Sequence, residues 1–311
     1  FYYVSMLAAG ITQSLMWRAV DANGSLVYPD FVETVIRILP LFLFRALGGV
    51  LFLGGFVLLL YNIYKTIKQA PKELQDETVQ VKISSSAPIH PERGHRKLEG
   101  MAAAFTILAF IAILVGSIIE IVPTLSVNKY VNTEKKVEPF TPLELAGRDI
   151  YVKEGCFNCH SQMIRTIPSD VLRYGAASTI EESMYDRPFQ WGSKRTGPDL
   201  ARLGKKYPDL WHYMHMEDPR AVIKESIMPA YPWLITSTID FDSLEKKVAV
   251  SNKLGVPYSD EDLSDTSERA KEQAKKIADV LKKQGVKEDV SDKQITALIA
   301  YLQALGQKGA E

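Results

Sequence analysis

Cys156, Cys159 and His160, in the run EGCFNCHSQ (154–162), are the residues whose types and spacing can do chemistry. Cys156 and Cys159 are the only cysteines among the 311 residues. Three chemistries use a Cys-x-x-Cys pair. A structural zinc site takes four ligands, usually from two such pairs, and no second pair exists. A redox dithiol of the thioredoxin kind needs a neighbouring βαβ pattern, absent here, and has no use for the adjacent histidine. Covalent haem attachment uses all three residues: the thiols add to the haem vinyl groups and the histidine goes to the iron. Two intervening residues make a turn that presents both sulfurs to one porphyrin edge. A chance pair closing a disulfide is the bland alternative, and the run predicts a c-type haem site.

Such a site needs helices to position it. Before the cysteines, TPLELAGRDIYVKEGC spaces Leu143, Ala146, Ile150 and Tyr151 as a helical stripe with Gly147 in its middle. Glycine costs helix stability, so its use there predicts a second helix crossing closely. At the other end, SDKQITALIAYLQALG places Ile295, Leu298, Ile299, Leu302 and Leu305 on one face. Ser291 and Gln294 are spaced as a capping box, and Gly306 can end the helix. Each alone is an ordinary amphipathic helix. Crossing beside a Cys-x-x-Cys-His run, they predict an all-α small cytochrome c domain.

The remaining parts of a haem site can be sought between them. An iron-bearing imidazole needs an acceptor at its second nitrogen. In class I cytochromes c a Gly-Pro loop carbonyl supplies it, and Pro198 in RTGPDLARLG (195–204) resembles that position; elsewhere this would be a plain turn. The sixth-ligand candidates are Met163, Met184, Met214, Met216, Met228, His212 and His215. Met163 is too near the attachment turn. His212 and His215 sit in WHYMHMEDP, predicted as a helix ending before Pro219, and stay as alternatives. Met228, in the Pro- and aromatic-rich SIMPAYPWL, suits an extended segment laid against a haem face and is favoured, since a thioether raises the potential of a carrier. Core packing is its ordinary role. Trp191, Tyr231 and Trp233 are candidate aromatic walls and Arg165 and Arg195 candidate partners of the haem propionates. Core aromatics and surface charges are the plain readings of both sets.

The formal net charge is zero, which gives no hint of nucleic-acid binding and predicts no nucleic-acid partner. Hydrophobicity is uneven. Residues 40–61 and 101–122 are each about the 20 apolar residues that cross a bilayer, with Arg45 and Glu120 near their ends. Residues 1–17 are apolar enough to be a third, truncated span, and they lack the features of a signal peptide. Lys65, Lys68, Lys72, Lys82, Arg93, Arg96 and Lys97 crowd the loop after the first long span, which the positive-inside rule puts in the cytoplasm. Residues 124–311 then fall on the periplasmic side of a bacterial cell membrane. The polar stretch 68–94, with its prolines and serine run, has the composition of a linker.

Together, HRKLEGMAAAFTILAFIAILVGSIIEIVPTL, GCFNCHSQMIRTIPSDVLRYG, WGSKRTGPDLARLGKKYPDLWH and SIMPAYPWL resemble the membrane-anchored mono-haem subunit of the cbb3-type haem-copper cytochrome c oxidases, over residues 95–311. Upstream, GITQSLMWRAVDANGSLVYPDFVETV and RALGGVLFLGGFVLLLYNIY are similar to the last two transmembrane helices of the catalytic subunit of that enzyme. The resemblance implies a fusion: two catalytic-subunit helices (1–66), a cytoplasmic linker (67–97), an anchor helix (98–123) and a class I cytochrome c-like domain (124–311). It implies electron transfer through one covalent haem c to an oxygen-reducing haem-copper centre. It implies as partners the catalytic subunit, a di-haem cytochrome c subunit or other cytochrome c donor, and the lipid membrane. Haem b and copper are expected outside this chain, because its first histidine is His90. The family carries a calcium ion at the boundary between those subunits, and Ser193 resembles one of its ligands. The alternatives are the cytochrome c subunit of a nitric oxide reductase and a stand-alone tethered carrier or haem-based sensor; neither has a use for residues 1–61. The stretch TSERAKEQAKKIADVLKKQG (266–285) reads as a charged amphipathic helix whose charged side is a solvated face or a docking surface.

Overall fold

The computed structural model describes residues 2–69, 100–126 and 137–308; the linker and seam expected over 67–97 lie almost wholly outside them. Among the described residues the fold is all-α, with two isolated bridges, Val20 to Leu26 and Thr238 to Lys293, as its extended pairings. The chain divides into two compact units, residues 1–48 with 131–311 and residues 49–130.

Among the described residues two helices are long and apolar enough to cross a membrane, α2 (Phe31–Gln69) and α3 (Ala102–Ser126). Both present leucine, isoleucine, valine and phenylalanine side chains outward, as Phe52, Leu58, Ile113 and Ile119 show. That outward apolar surface is what a lipid environment accepts. At 39 residues α2 runs well past the apolar stretch 40–61 at both ends, about 58 Å in all, with Pro40 inside it. Lys65 and Lys68 stand in its last turns, where cations suit the carbonyl end of the helix. The first segment, α1 (Tyr2–Arg18), has 17 residues, which is short for a span.

The haem-domain candidate is built on α4 (Pro142–Lys153), which starts at a complete capping box. The Thr141 hydroxyl accepts from the Glu144 N–H, the Glu144 carboxylate accepts from the Thr141 N–H, and Pro142 fills the first turn. α5 (Pro168–Tyr174) and α6 (Asp209–Glu217) follow, then α7 (Leu244–Lys253), α8 (Thr266–Lys283) and α9 (Gln294–Ala304). α9 crosses α4 at the glycine the sequence singled out: a methyl on Gly147 would stand 1.9 Å from the Ala297 carbonyl oxygen. Leu143, Tyr151, Ile295, Leu298, Ile299 and Tyr301 bury completely around that crossing. Gly306, at φ +74°, follows α9 as the sequence predicted.

One expectation needs correction. Ser291 does not cap α9, which starts three residues later behind Lys293 with no side-chain cap. The Ser291 N–H goes instead to Asp289, and the Thr296 hydroxyl donates to the Val290 carbonyl, so local bonds replace the box. The charged helix α8 is amphipathic, as its sequence predicts. Ala270, Ala274, Ala278 and Leu281 form a buried stripe on one side that packs against α4, α7 and α9, while the pairs Glu268–Lys271 and Glu272–Lys276 stay in solvent on the other.

Candidate haem site

Gly155, at φ +72°, turns the chain out of α4 into a three-residue helical turn, Cys156–Asn158. The N–H groups of Cys159 and His160 both donate to the Cys156 carbonyl, at 3.1 and 3.0 Å, so the two thiols and the imidazole leave one compact turn. Both thiols are free and half-buried. Burial, with Glu154 adding, pushes the Cys156 thiol up to about 12, so it stays protonated.

His160 is held at one nitrogen. Its Nδ1–H donates to the Pro198 carbonyl at 2.8 Å, which fixes the tautomer and leaves the Nε2 lone pair for a metal. Burial draws its pKa below the ordinary value, which keeps the ring neutral. The Gly197 N–H donates to the Cys159 carbonyl at 2.9 Å, tying the Gly-Pro loop to the attachment turn. Gly197 itself was not singled out from sequence. A methyl there would fall 2.3 to 2.8 Å from three ring atoms of His160, so only glycine lets the ring pack against that backbone.

Arg195, expected as a propionate partner, is engaged by protein groups. It is 4% exposed, and its donors are already taken. Nε donates to Ser161 Oγ at 2.8 Å, Nη1 to Asp170 at 2.9 Å, and Nη2 to the Met163 carbonyl at 3.0 Å and to Asp199 at 3.4 Å. The ring of Tyr174 lies 5.1 Å from its guanidinium carbon. A guanidinium so engaged inside the protein is a structural tie between loops. Arg165 is exposed and pairs with the same Asp170 at 3.2 Å.

Of the aromatic candidates, Trp191 stacks on Phe189 with centroids 4.5 Å apart, donates its indole N–H to Ser183, and accepts the Gln162 N–H at its carbonyl. Trp233 stands against Tyr231 and donates to the Glu154 carboxylate at 3.0 Å, beside the attachment turn. Met228 is half-buried against the core. Its N–H goes to Ser226, its carbonyl accepts from Arg220, and the Tyr231 N–H to Met216 carbonyl bond ties its loop to α6. His212 is wholly buried with neither ring nitrogen partnered, while His215 stacks on Trp211 and keeps its Nδ1 unpartnered. Burial pulls His215 down to about 4, with its neighbour His160 adding to the shift. Ser193 is exposed, and among the described residues no group of three or more His, Cys, Asp or Glu side chains gathers to hold a metal ion.

Two free thiols on one turn, an imidazole pinned at Nδ1 with Nε2 open, and buried histidines with spare nitrogens suit a covalently held haem. An all-α domain whose terminal helices cross at a glycine beside a Cys-x-x-Cys-His turn is a c-type cytochrome domain. The chain belongs to the family described as the mono-haem subunit of cytochrome c oxidase (FixO), whose model matches residues 95–308, and membership in a mono-haem family implies one haem c. The chain is also similar to other cytochrome c oxidase subunits. It is 48% identical over 69 residues to a cytochrome c oxidase subunit 1 homolog of Azorhizobium caulinodans, which is 22% of this chain and 12% of that protein. It is 38% identical over 80 residues to the cbb3-type cytochrome c oxidase subunit CcoN1 of Stutzerimonas stutzeri, 26% of this chain and 17% of the relative. To cytochrome c oxidase subunit 1 of Rhodobacter capsulatus it is 42% identical over 71 residues, 23% of this chain and 13% of the relative. The chain thus spans about an eighth of the length of the first of these relatives, 12%.

Proposed function

We propose that this chain passes electrons, through one haem c held by residues 156–160, to a haem-copper oxygen-reducing centre of a cbb3-type oxidase lying outside residues 1–311. The observation that carries the reading is the His160 Nδ1–H to Pro198 carbonyl bond over Gly197, which prepares Nε2 as an axial ligand. When bound, haem c supplies one-electron chemistry. The protein's own residues do the rest. Cys156 and Cys159 would hold the group by thioether bonds, and His160 Nε2 and the Met228 thioether would ligate its iron. With both ligands supplied by protein, the site would favour electron transfer over oxygen binding.

In this reading residues 1–66 derive from the end of a catalytic subunit, 98–123 anchor the chain, and 124–311 face the periplasm. The likeness to subunit 1 proteins and the two apolar helices support that layout. The catalytic subunit and a cytochrome c donor are the partners assigned. The test is a flow experiment on the reduced, purified complex. After an oxygen pulse the haem c α-band oxidises within a turnover, and a chain with Cys156→Ala and Cys159→Ala loses both covalent haem and oxygen uptake. Haem c that stays reduced while oxygen uptake continues overturns the reading.

A further inference from the structure

We propose that Arg195 is a positioning residue for His160, acting through a buried charge cluster and not through contact with the haem; the inference rests on the haem reading above. Two loops carry the axial imidazole. Residues 161–163 continue directly from it, and residues 196–199 supply Gly197 beneath it and the Pro198 carbonyl that accepts its Nδ1–H. Arg195 bolts one to the other. Its Nε and Nη2 hold Ser161 Oγ and the Met163 carbonyl on the first loop, and Asp199, on the second, accepts from Ser161 Oγ, from the Met163 N–H and from Arg195. Asp170 on α5 closes the cluster from a third direction at 2.9 Å.

Burial turns these bonds into a constraint. Arg195, Asp170, Asp199 and Ser161 are all buried, so a bond lost there is not replaced by water without cost. The position of the Pro198 carbonyl therefore depends on the guanidinium three residues before it. Outer partners of this kind set the orientation and basicity of a ligating histidine. The Arg195 carbonyl also accepts from the side-chain amide of Gln13 at 3.1 Å, so α1 reaches the same loop.

The test uses the purified complex with R195K, R195M and D170N, all retaining Cys156, Cys159 and His160. Two readouts are taken on haem c: the low-spin ferric EPR g-values, which report the orientation of the imidazole plane, and the equilibrium constant for its reduction in a redox titration. The expected result is covalent haem in every variant, g-values moved in R195M and D170N alike, a reduction constant changed by about tenfold, and a smaller change in R195K. Unchanged g-values and reduction constant in R195M and D170N overturn the proposal. So does a change confined to the Arg195 variants with D170N as wild type, because that pattern marks direct contact between Arg195 and the haem carboxylates. If R195M does not assemble, R195K and D170N carry the same comparison. Failure of the haem reading itself looks different: the unsubstituted complex would carry no covalent haem on this chain.

Discussion

The ring of His160 packs against Gly197 so closely that a Cβ on residue 197 would stand 2.3 Å from Cε1, 2.7 Å from Nε2 and 2.8 Å from Nδ1. The next residue, Pro198, takes the Nδ1–H at 2.8 Å, so one dipeptide both makes room for the imidazole and aims it. Gly197→Ala should leave haem attached, because the cysteines are untouched, but displace the axial imidazole at a cost of about 1–3 kcal/mol. Haem staining on a denaturing gel together with the visible spectrum checks this. Retained covalent haem with a lost or altered low-spin spectrum is expected.

Gly147 plays the same part between helices. With the Ala297 carbonyl oxygen 1.9 Å from where a Cβ would go, Gly147→Ala must part α4 and α9. Overpacking of about 1–3 kcal/mol corresponds to a melting point lower by roughly 3–10 °C in a domain of this size. A thermal melt followed in the haem absorbance measures it.

The features legible in the sequence are those whose partners lie within a few residues or whose residue type admits few uses. The attachment run is local, and Gly147, amid an apolar helical stripe, could serve only a close crossing. Pro198 was legible from its Gly-Pro context, whereas Gly197 became necessary only once the imidazole was seen against it. The tie that Arg195 makes was not legible, because its partners Ser161, Asp170 and Asp199 come together only through the fold, and a lone arginine near a haem suggests a propionate. The Ser291 box failed because Asp289 and Val290 take the same local bonds. The Thr141–Glu144 box in TPLE, which was not singled out from sequence, did form, as did one at Ser259–Asp262.

Met228→His and Met228→Ala separate the axial candidates. A second imidazole lowers the potential relative to a thioether, so Met228→His should retain a low-spin spectrum with a more negative midpoint, and Met228→Ala should leave an open coordination position. His212→Leu should leave the spectrum low-spin. If His212→Leu abolishes it and Met228→Ala does not, the assignment of Met228 is wrong.

His212 also gives a pH dependence. Burial, with His215 adding, pulls it down to about 4 from an ordinary 6.5, so the folded state refuses a proton that the unfolded chain accepts. The depressed value means stability is full above pH 6.5 and falls as the pH drops toward 4. Between pH 7 and 5 this one group accounts for about 2 kcal/mol. Melts at the two pH values should show the loss, and His212→Leu should reduce it without abolishing it, because His215, also drawn down to about 4, keeps its own share.

The most direct test of the whole account is the haem and metal content of the complex that purifies with this chain in mild detergent. Haem c on this chain, accompanied by haem b and copper in the complex, is the predicted result. Haem b with non-haem iron and no copper, or haem c alone, would contradict delivery of electrons to a haem-copper centre.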